Sequence, residues 1–492
     1  MKADLSPPLL EKPTRVRFGV LGFVCALSMI TYLDRVCMGA SSKYLIDVLH
    51  LKNGVADLNF AFMAFTLSYA AFEIPTGWLG DVFGPRRTLI RIVLWWSFFT
   101  ALTGLVGMLL PGGIFLGLTA LTVIRFLFGM GEAGAYPNIT RALHNWFPFQ
   151  ERGAAQGAVW FSGRLMGGLT PLVLGLLIEG LQRRLIDPSA AADDLLFQPL
   201  FDWRQAFWSF GIIGSLWCIL FALWFRNRPE EKATVNAAEL ELITRHRRAE
   251  NEGHAGVPWR RMLTSTNLWA LCLQYFCASY GWYFFITYYF NFLEEQYGVD
   301  PRSLVGWLYK GGPLLVGALA CLTGGVMTDL FIRRTGNRKW GRRLFGVCGH
   351  GLCAVCFLSS LAAPSAFWFF VAGSLASFFN DLTMGSAWAT CQDIGKRYAA
   401  VVAGCMNTVG NLGGALAGFT TGAVLKWSVH SYVAAHGLDP QHIPADRLAA
   451  AQAFGYQINL ASFAAAYFIA MLFWLRVNST EAVVGDDRPL AA

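Results

Sequence analysis

Long apolar stretches recur along almost the whole chain, and nothing else limits its fold so strongly. They fall at approximately 17–40, 57–79, 88–110, 114–137, 153–179, 203–225, 266–292, 304–330, 343–362, 365–390, 398–425 and 455–477. A bilayer-spanning helix needs about 20 mostly apolar residues, so each stretch can cross. Inside hydrocarbon every backbone N–H and C=O must be satisfied within its own segment, which makes these helices and not strands. Of the 492 residues, 55% are hydrophobic and only 14% charged. A soluble domain carries about a quarter charged residues, so this chain could not cover a water-facing surface. The expectation is an all-α membrane protein of twelve transmembrane helices. The first run is too long for a signal-peptide core, and no small-residue cleavage site follows it, so it reads as an uncleaved first helix. The eleven cysteines lie in apolar runs and read as small buried side chains, not as a disulfide framework.

The net charge of +8 is a matter of topology, not of nucleic acid. Lys2, Lys12, Arg15 and Arg17 precede the first helix. Arg86 and Arg87 follow the second, and Arg333, Arg334, Arg338, Lys339, Arg342 and Arg343 follow the eighth. Arg226, Arg228, Lys232, Arg245, Arg247, Arg248, Arg260 and Arg261 lie in the central linker. All fall on one side if both termini are cytoplasmic, as the positive-inside rule requires. The alternate loops near 110–114 and 362–365 have no Lys or Arg. The linker at 226–265 divides the chain into a six-helix bundle at 1–225 and a second at 266–492. Its stretch Ala237–Arg248 has helical character and is expected on the membrane surface. The segments near 180–202 and 426–454 read as external loops.

The halves repeat each other. Gly77-Trp-Leu-Gly-Asp81-Val-Phe-Gly84-Pro-Arg86-Arg87 follows the second helix, and Gly325-Val-Met-Thr-Asp329-Leu-Phe-Ile-Arg333-Arg334 follows the eighth. Gly157, Gly163 and Gly167 in the fifth helix parallel Gly404, Gly410 and Gly414 in the eleventh. Parallel six-helix repeats are an architecture of alternating-access carriers, with the site between the halves.

The Gly77–Arg87 loop resembles the signature of the major facilitator superfamily, and the second copy matches it in part. Other stretches resemble the anion:cation symporter family within it. They are Tyr32-Leu-Asp34-Arg35, then Arg125 with Gly129-Met-Gly131-Glu132-Ala133-Gly134 and Pro137, then Asn145-Trp146-Phe147-Pro148 with Glu151-Arg152-Gly153. Asp393 with Asn407 and Gly410-Asn411-Leu-Gly413-Gly414 adds to these. The family includes bacterial proton-coupled carriers of hexuronates, galactonate, glucarate, tartrate and phthalate, and animal carriers of glutamate and sialic acid. The resemblance implies the two-bundle major facilitator fold, a bacterial inner-membrane location and a monomer. Two places depart from it. Tyr288-Tyr289-Phe290-Asn291-Phe292-Leu293 lacks the family's Trp and Pro, and Arg164 stands where galactonate-type carriers have an amide.

A charge in mid-membrane costs about 2.5–3.5 kcal/mol on insertion scales, so such residues are rarely idle. Arg35 is a candidate for the substrate carboxylate, which arginine binds through two parallel hydrogen bonds. Asp34 beside it is a candidate proton site; a structural ion pair is the alternative. Arg125 and Glu132 lie seven residues apart on one helix face and read as a coupling pair. An anion that neutralises the arginine lets the carboxyl hold its proton. The alternative is a static interhelical pair. Arg164 is a candidate second carboxylate ligand, which suits a diacid, or a salt bridge. Asp381 is a second proton site or the partner of Arg164 or Lys310. Asn407, Asn411, Ser386, Trp388, Tyr69 and Tyr283 are candidate cavity-lining residues, with interhelical packing as the alternative. Asp81, Arg86, Arg87, Arg152, Asp329 and Arg333 are expected to form a charge network at the cytoplasmic helix ends, a role that rests mostly on the resemblance.

The reading is a proton-coupled symporter of an organic anion, with a sugar acid (hexuronate, aldonate or aldarate) favoured. Its partners are protons, a small anion and the bilayer, and it needs no cofactor, metal or nucleic acid. A proton-driven exporter of drugs or metabolites is the alternative, but Arg35, Arg125 and Arg164 make the lining basic. A membrane enzyme is disfavoured, because the chain has no HExxH, no phosphate-binding glycine loop and no nucleophile–base set among the helices.

Overall fold

A computed structural model describes residues 12–51, 55–110, 114–179, 181–182, 195–245, 257–299, 304–437, 439 and 444–484. Its twelve crossings are α1 (Val16–Ala40), α2 (Val55–Phe83), α3 (Pro85–Thr103), α4a and α4b (Leu118–Glu132, Ala135–Trp146), α5 (Arg152–Leu174) and α6 (Trp203–Trp224). Then come α7a and α7b (Thr266–Thr287, Tyr289–Tyr297), α8 (Leu304–Thr335), α9 (Arg338–Ser360), α10a and α10b (Ala366–Asp381, Met384–Gly395), α11 (Ala399–His436) and α12 (Ala445–Trp474). Two short antiparallel ladders lie outside the helices, Leu109–Leu110 with Ile114–Phe115 and Leu181–Gln182 with Leu195–Phe197. Seven stretches of the described residues pass as spans on length and apolarity alone, and one of these, Ala366–His436, runs through two crossings. α3 is more polar because Arg86, Arg87 and Arg91 occupy its first turns.

The helices form two six-helix bundles with the same plan. α1 packs on α5, α2 on α4 and α3 on α6; α7 packs on α11, α8 on α10 and α9 on α12. Between bundles, α5 lies against α8 and α11 against α2. The surface is inverted relative to a water-soluble fold. Phe60, Met63, Leu67, Ile212, Leu319 and Phe419 point outward, while Asp34, Arg125, Glu132, Arg164 and Asp381 are buried. This is a multi-pass membrane protein, its apolar side chains facing lipid.

Of three expectations outside the crossings, one changes and two extend beyond the described residues. The segment near 426–454 is mostly helix, because α11 continues to His436 and α12 begins at Ala445. No glycine or proline interrupts α11 after Gly422 until Gly437, whose left-handed backbone (φ 60°) ends it, and Pro444 precedes α12. In the 180–202 segment, residues 183–194 lie outside those described. The linker helix covers Ala237–Thr244, and residues 246–248 lie outside those described. It docks by polar contacts at the start of α1. Glu239, fully buried, accepts hydrogen bonds from the Thr14 hydroxyl (2.6 Å) and from the amides of Val16 (3.1 Å) and Arg17 (3.2 Å). It also pairs with the Arg17 guanidinium at 2.8 Å. All eleven cysteines are free thiols, including Cys353 and Cys356, which stand in C-x-x-C spacing on α9.

Candidate functional site

α4 and α10 hold corresponding places in the two bundles, and both are broken. α4a closes on Glu132 and α10a closes on Asp381. At the first break Gly134 takes a left-handed conformation (φ 85°), and a Cβ there would sit 2.6 Å from Thr76. A break in a membrane helix frees backbone groups that must be satisfied nearby, so it is found where protein or water surrounds it. Each break thus sets an acid within the protein interior.

Glu132 is fully buried and accepts a hydrogen bond from Arg35 Nε at 2.7 Å. Its direct partner is therefore Arg35 of α1, not Arg125 of its own helix. Seven residues of helix separate Arg125 and Glu132 by about 10.5 Å along the axis, which is too far for contact. The Arg125 guanidinium instead lies 4.2 Å from the Phe128 ring centre and 5.0 Å from that of Phe65. Arg35 lies 4.6 Å over Tyr69. Asp34 is buried, within electrostatic reach of Glu132 and Arg125. Among the described residues, both Asp34 oxygens, Glu132 Oε2, Arg35 Nη2 and Arg125 Nε lack a hydrogen-bond partner. Buried polar atoms are nearly always paired, so this cluster holds unused capacity for a ligand or protons.

The second acid pairs across the bundles. Arg164 Nη2 of α5 lies 3.2 Å from Asp381 Oδ1, and Arg164 Nη1 donates to the Tyr32 hydroxyl at 3.3 Å. The guanidinium lies 3.6 Å from the Trp282 ring centre. Asn380 Nδ2 donates to Asp381 Oδ1 at 2.8 Å. Of the two partners expected for Asp381, Arg164 is the one it takes.

The other proposed lining residues divide. Tyr283 is half-buried, within electrostatic reach of Arg35, and its ring covers Gly414. Ser386 and Trp388 are fully buried, not on a solvent-lined wall. Trp388 donates to the Tyr275 hydroxyl at 3.3 Å and packs on Trp160 and Tyr136, closing the space between the bundles. Asn407 and Asn411 both donate to Glu73 of α2, which also accepts from Thr408. Glu73 was not anticipated. Its signal was present, since it lies one turn from Tyr69 as the single charge between Asp57 and Asp81.

At the end of the molecule that holds both described termini, four of the six residues expected in the charge network, Asp81, Asp329, Arg152 and Arg333, make contacts across the bundles. Asp81 accepts from the amides of Ala400 (3.2 Å) and Val401 (2.9 Å) at the start of α11. Asp329 accepts from Gly153 (3.1 Å) and Ala154 (2.6 Å) at the start of α5. Each aspartate thus caps a helix of the opposite bundle, where the helix dipole favours an anion. Four residues earlier, Gly77 and Gly325 let the same helix ends approach: a Cβ would meet the carbonyl oxygens of Ala400 at 2.8 Å and Gly153 at 2.2 Å. Arg152 reaches Asp393 across the bundles at 3.0 Å, and Arg333 reaches Glu151 at 3.5 Å. Arg86 stays within its own bundle, donating to the Ala222 carbonyl. Arg87 is exposed. Among the described residues, neither belongs to the cross-bundle contacts. Arg141 and Arg342 do: Arg141 lies 3.6 Å from Asp81 and donates to the Lys396 carbonyl at 2.9 Å, while Arg342 pairs with Asp329 at 2.9 Å and donates to the Phe149 carbonyl at 3.1 Å. Both were missed because their partners lie on other elements.

Known proteins resemble this chain over most of its length. The family model described as Major Facilitator Superfamily matches residues 24–418. The probable sulfoacetate transporter SauU of Cupriavidus necator is 32% identical over 81% of this chain and 85% of its own. The probable galactarate/D-glucarate transporter GudP of Escherichia coli is 24% identical over 86% and 93%. The hexuronate transporter of Bacillus subtilis is 25% identical over 81% and 87%. In three dimensions, the proton:xylose symporter XylE superposes with a TM-score of 0.66 at 14% identity, covering 94% of this chain and 95% of that one.

Proposed function

This chain belongs to the major facilitator superfamily, and on that premise we propose that it is a proton-coupled symporter of a small organic anion, working by alternating access. The observation that carries this reading is the pair of half-buried Arg35 with fully buried Glu132, beside Asp34 and Arg125, with hydrogen-bonding atoms to spare. An incoming carboxylate takes over the Arg35 guanidinium, which stays charged and fits a carboxylate with two parallel bonds. Glu132 then loses its cation. A buried carboxylate without a counter-charge is expensive, so a proton replaces the lost charge. Anion and proton thereby enter together. Asp34 offers a second proton position, and Arg125 balances the cluster. A monoanion with one proton moves no net charge. Each further proton adds about 2.3 kcal/mol per 100 mV of membrane potential.

The relatives support an acid as cargo. Two have names that specify sugar acids and one specifies sulfoacetate, so sugar acids and short sulfonated acids are the classes to test. The basic loops favour cytoplasmic termini in a bacterial inner membrane. In that orientation Asp81, Asp329, Arg152 and Arg333 hold the cytoplasmic side shut. The experiment is uptake of glucarate, glucuronate and sulfoacetate into proteoliposomes under an inward proton gradient. Accumulation that collapses with the gradient is expected. Uptake of none of them, with or without the gradient, overturns the proposal.

A further inference from the structure

We propose that Arg35 and Arg164 form a two-arginine clamp, so that the preferred cargo is an organic acid with an anionic group at each end. This rests on the anion-carrier reading above and narrows its substrate class.

The packing of α1 on α5 places Tyr32 within reach of both arginines. A Cβ on Gly163 or Gly167 would come within 2.7 Å of the Tyr32 ring, so these glycines let the two helices close around it. Tyr32 precedes Arg35 by three residues, about 4.5 Å along α1. Its hydroxyl accepts from Arg164 at 3.3 Å, and it lies within electrostatic reach of both guanidiniums. One phenol therefore adjoins a cation from α1 and a cation from α5.

Both cations are held by internal stand-ins for a ligand. Arg35 meets Glu132 and Arg164 meets Asp381, each acid closing the first half of its broken helix. The Arg164–Asp381 contact is a single one at 3.2 Å. Arg164 Nε and Asp381 Oδ2 have no hydrogen-bond partner among the described residues. A two-pronged arginine–carboxylate pair is stronger than a one-pronged one, so a ligand carboxylate or sulfonate that engages two donors gains over Asp381. Trp282 lies 3.6 Å from the guanidinium and fixes its plane for that exchange. Asp381 and Trp282 belong to the second bundle, whereas Arg164 belongs to the first. An anion at Arg164 thus replaces a bond between the bundles, while a monoanion at Arg35 leaves that bond in place.

The test is equilibrium binding to the purified full-length protein, using two pairs of probes. Glucarate and gluconate share a six-carbon skeleton and differ by one carboxylate replaced with a hydroxymethyl group. Sulfoacetate and isethionate differ in the same way on a two-carbon skeleton. Wild-type protein is expected to bind the dianion of at least one pair about 10- to 100-fold more tightly, the size of one charged hydrogen-bonded contact. Arg164→Gln is expected to bring that ratio close to one. Asp381→Asn removes the internal competitor and is expected to keep or raise the ratio. A merely structural ion pair would suffer alike from either change. Equal affinities within both pairs in the wild type, a ratio unmoved by Arg164→Gln, or loss of preference in Asp381→Asn each overturns the clamp. Binding of none of the four probes strikes at the anion-carrier reading itself, and the clamp falls with it.

Discussion

A charge within a membrane helix announces itself in sequence, but its partner does not. Asp34, Arg35, Arg125, Glu132, Arg164 and Asp381 were all visible as costly exceptions in apolar runs. The pairing was not, because Arg35 and Glu132 are 97 residues apart in the chain. Arg125 and Glu132 share a face of one helix, and sharing a face at seven residues' separation is not contact. The observed pair predicts two separable phenotypes. If Arg35 is the carboxylate ligand proposed above, Arg35→Ala should abolish detectable binding of a transported acid. Glu132→Gln keeps a hydrogen-bond acceptor for Arg35 but cannot exchange a proton. It should bind the acid and still exchange it across the membrane, yet fail to accumulate it under a proton gradient. Isothermal titration and counterflow in proteoliposomes distinguish them. Normal binding by Arg35→Ala would remove the carboxylate assignment.

At the level of helices, the G-x-x-x-D spacing was legible and its physical purpose was not. The glycine and the aspartate stand one turn apart on one face of α2, and again of α8. The glycine removes a Cβ so that a helix end can approach, and the aspartate caps that end's amides. Which helix arrives cannot be read from the loop, since α11 and α5 belong to the other bundle. Gly325→Val places a side chain where even a Cβ would lie 2.2 Å from the Gly153 carbonyl oxygen. It should force α8 and α5 apart and raise reactivity at the normally buried Cys321, measured with a thiol reagent. The α2–α11 contact makes a second prediction. Glu73→Ala leaves the donors of Asn407, Thr408 and Asn411 without their acceptor. Of these Asn407 is buried, and a buried donor left unsatisfied costs about 1–3 kcal/mol, so the melting temperature in detergent should fall clearly. Glu73→Gln, which retains an oxygen acceptor, should lose less. Equal stability in the alanine variant would show that water or lipid headgroups reach this contact.

In the whole molecule, twelve crossings and their pairing into two bundles follow from apolar length and internal repetition, and both were readable in advance. The state of the carrier is a different matter, because it depends on contacts between the bundles. Those contacts concentrate where α5, α8, α11 and α2 meet at the face of the termini. Asp81 on the first bundle caps α11 of the second, and Asp329 on the second caps α5 of the first. A charge at a helix N-terminus contributes about 0.3–1 kcal/mol when exposed and up to about 2 kcal/mol when partly buried. Since about 1.4 kcal/mol is a factor of ten in a population, neither cap alone can hold this face shut, but the two together can bias it strongly. Asp81→Asn and Asp329→Asn should each widen this face in a fraction of molecules, and the double variant should do so in most. Spin labels at Arg87 and Arg334, both exposed and on opposite bundles, would report the separation as a distance distribution. A long-distance population that grows from single to double variant is the expected result. A distribution identical in all four proteins would mean that the caps stabilise their helices without controlling which side is open. The weight would then pass to the buried aromatic closure of Tyr136, Trp160 and Trp388.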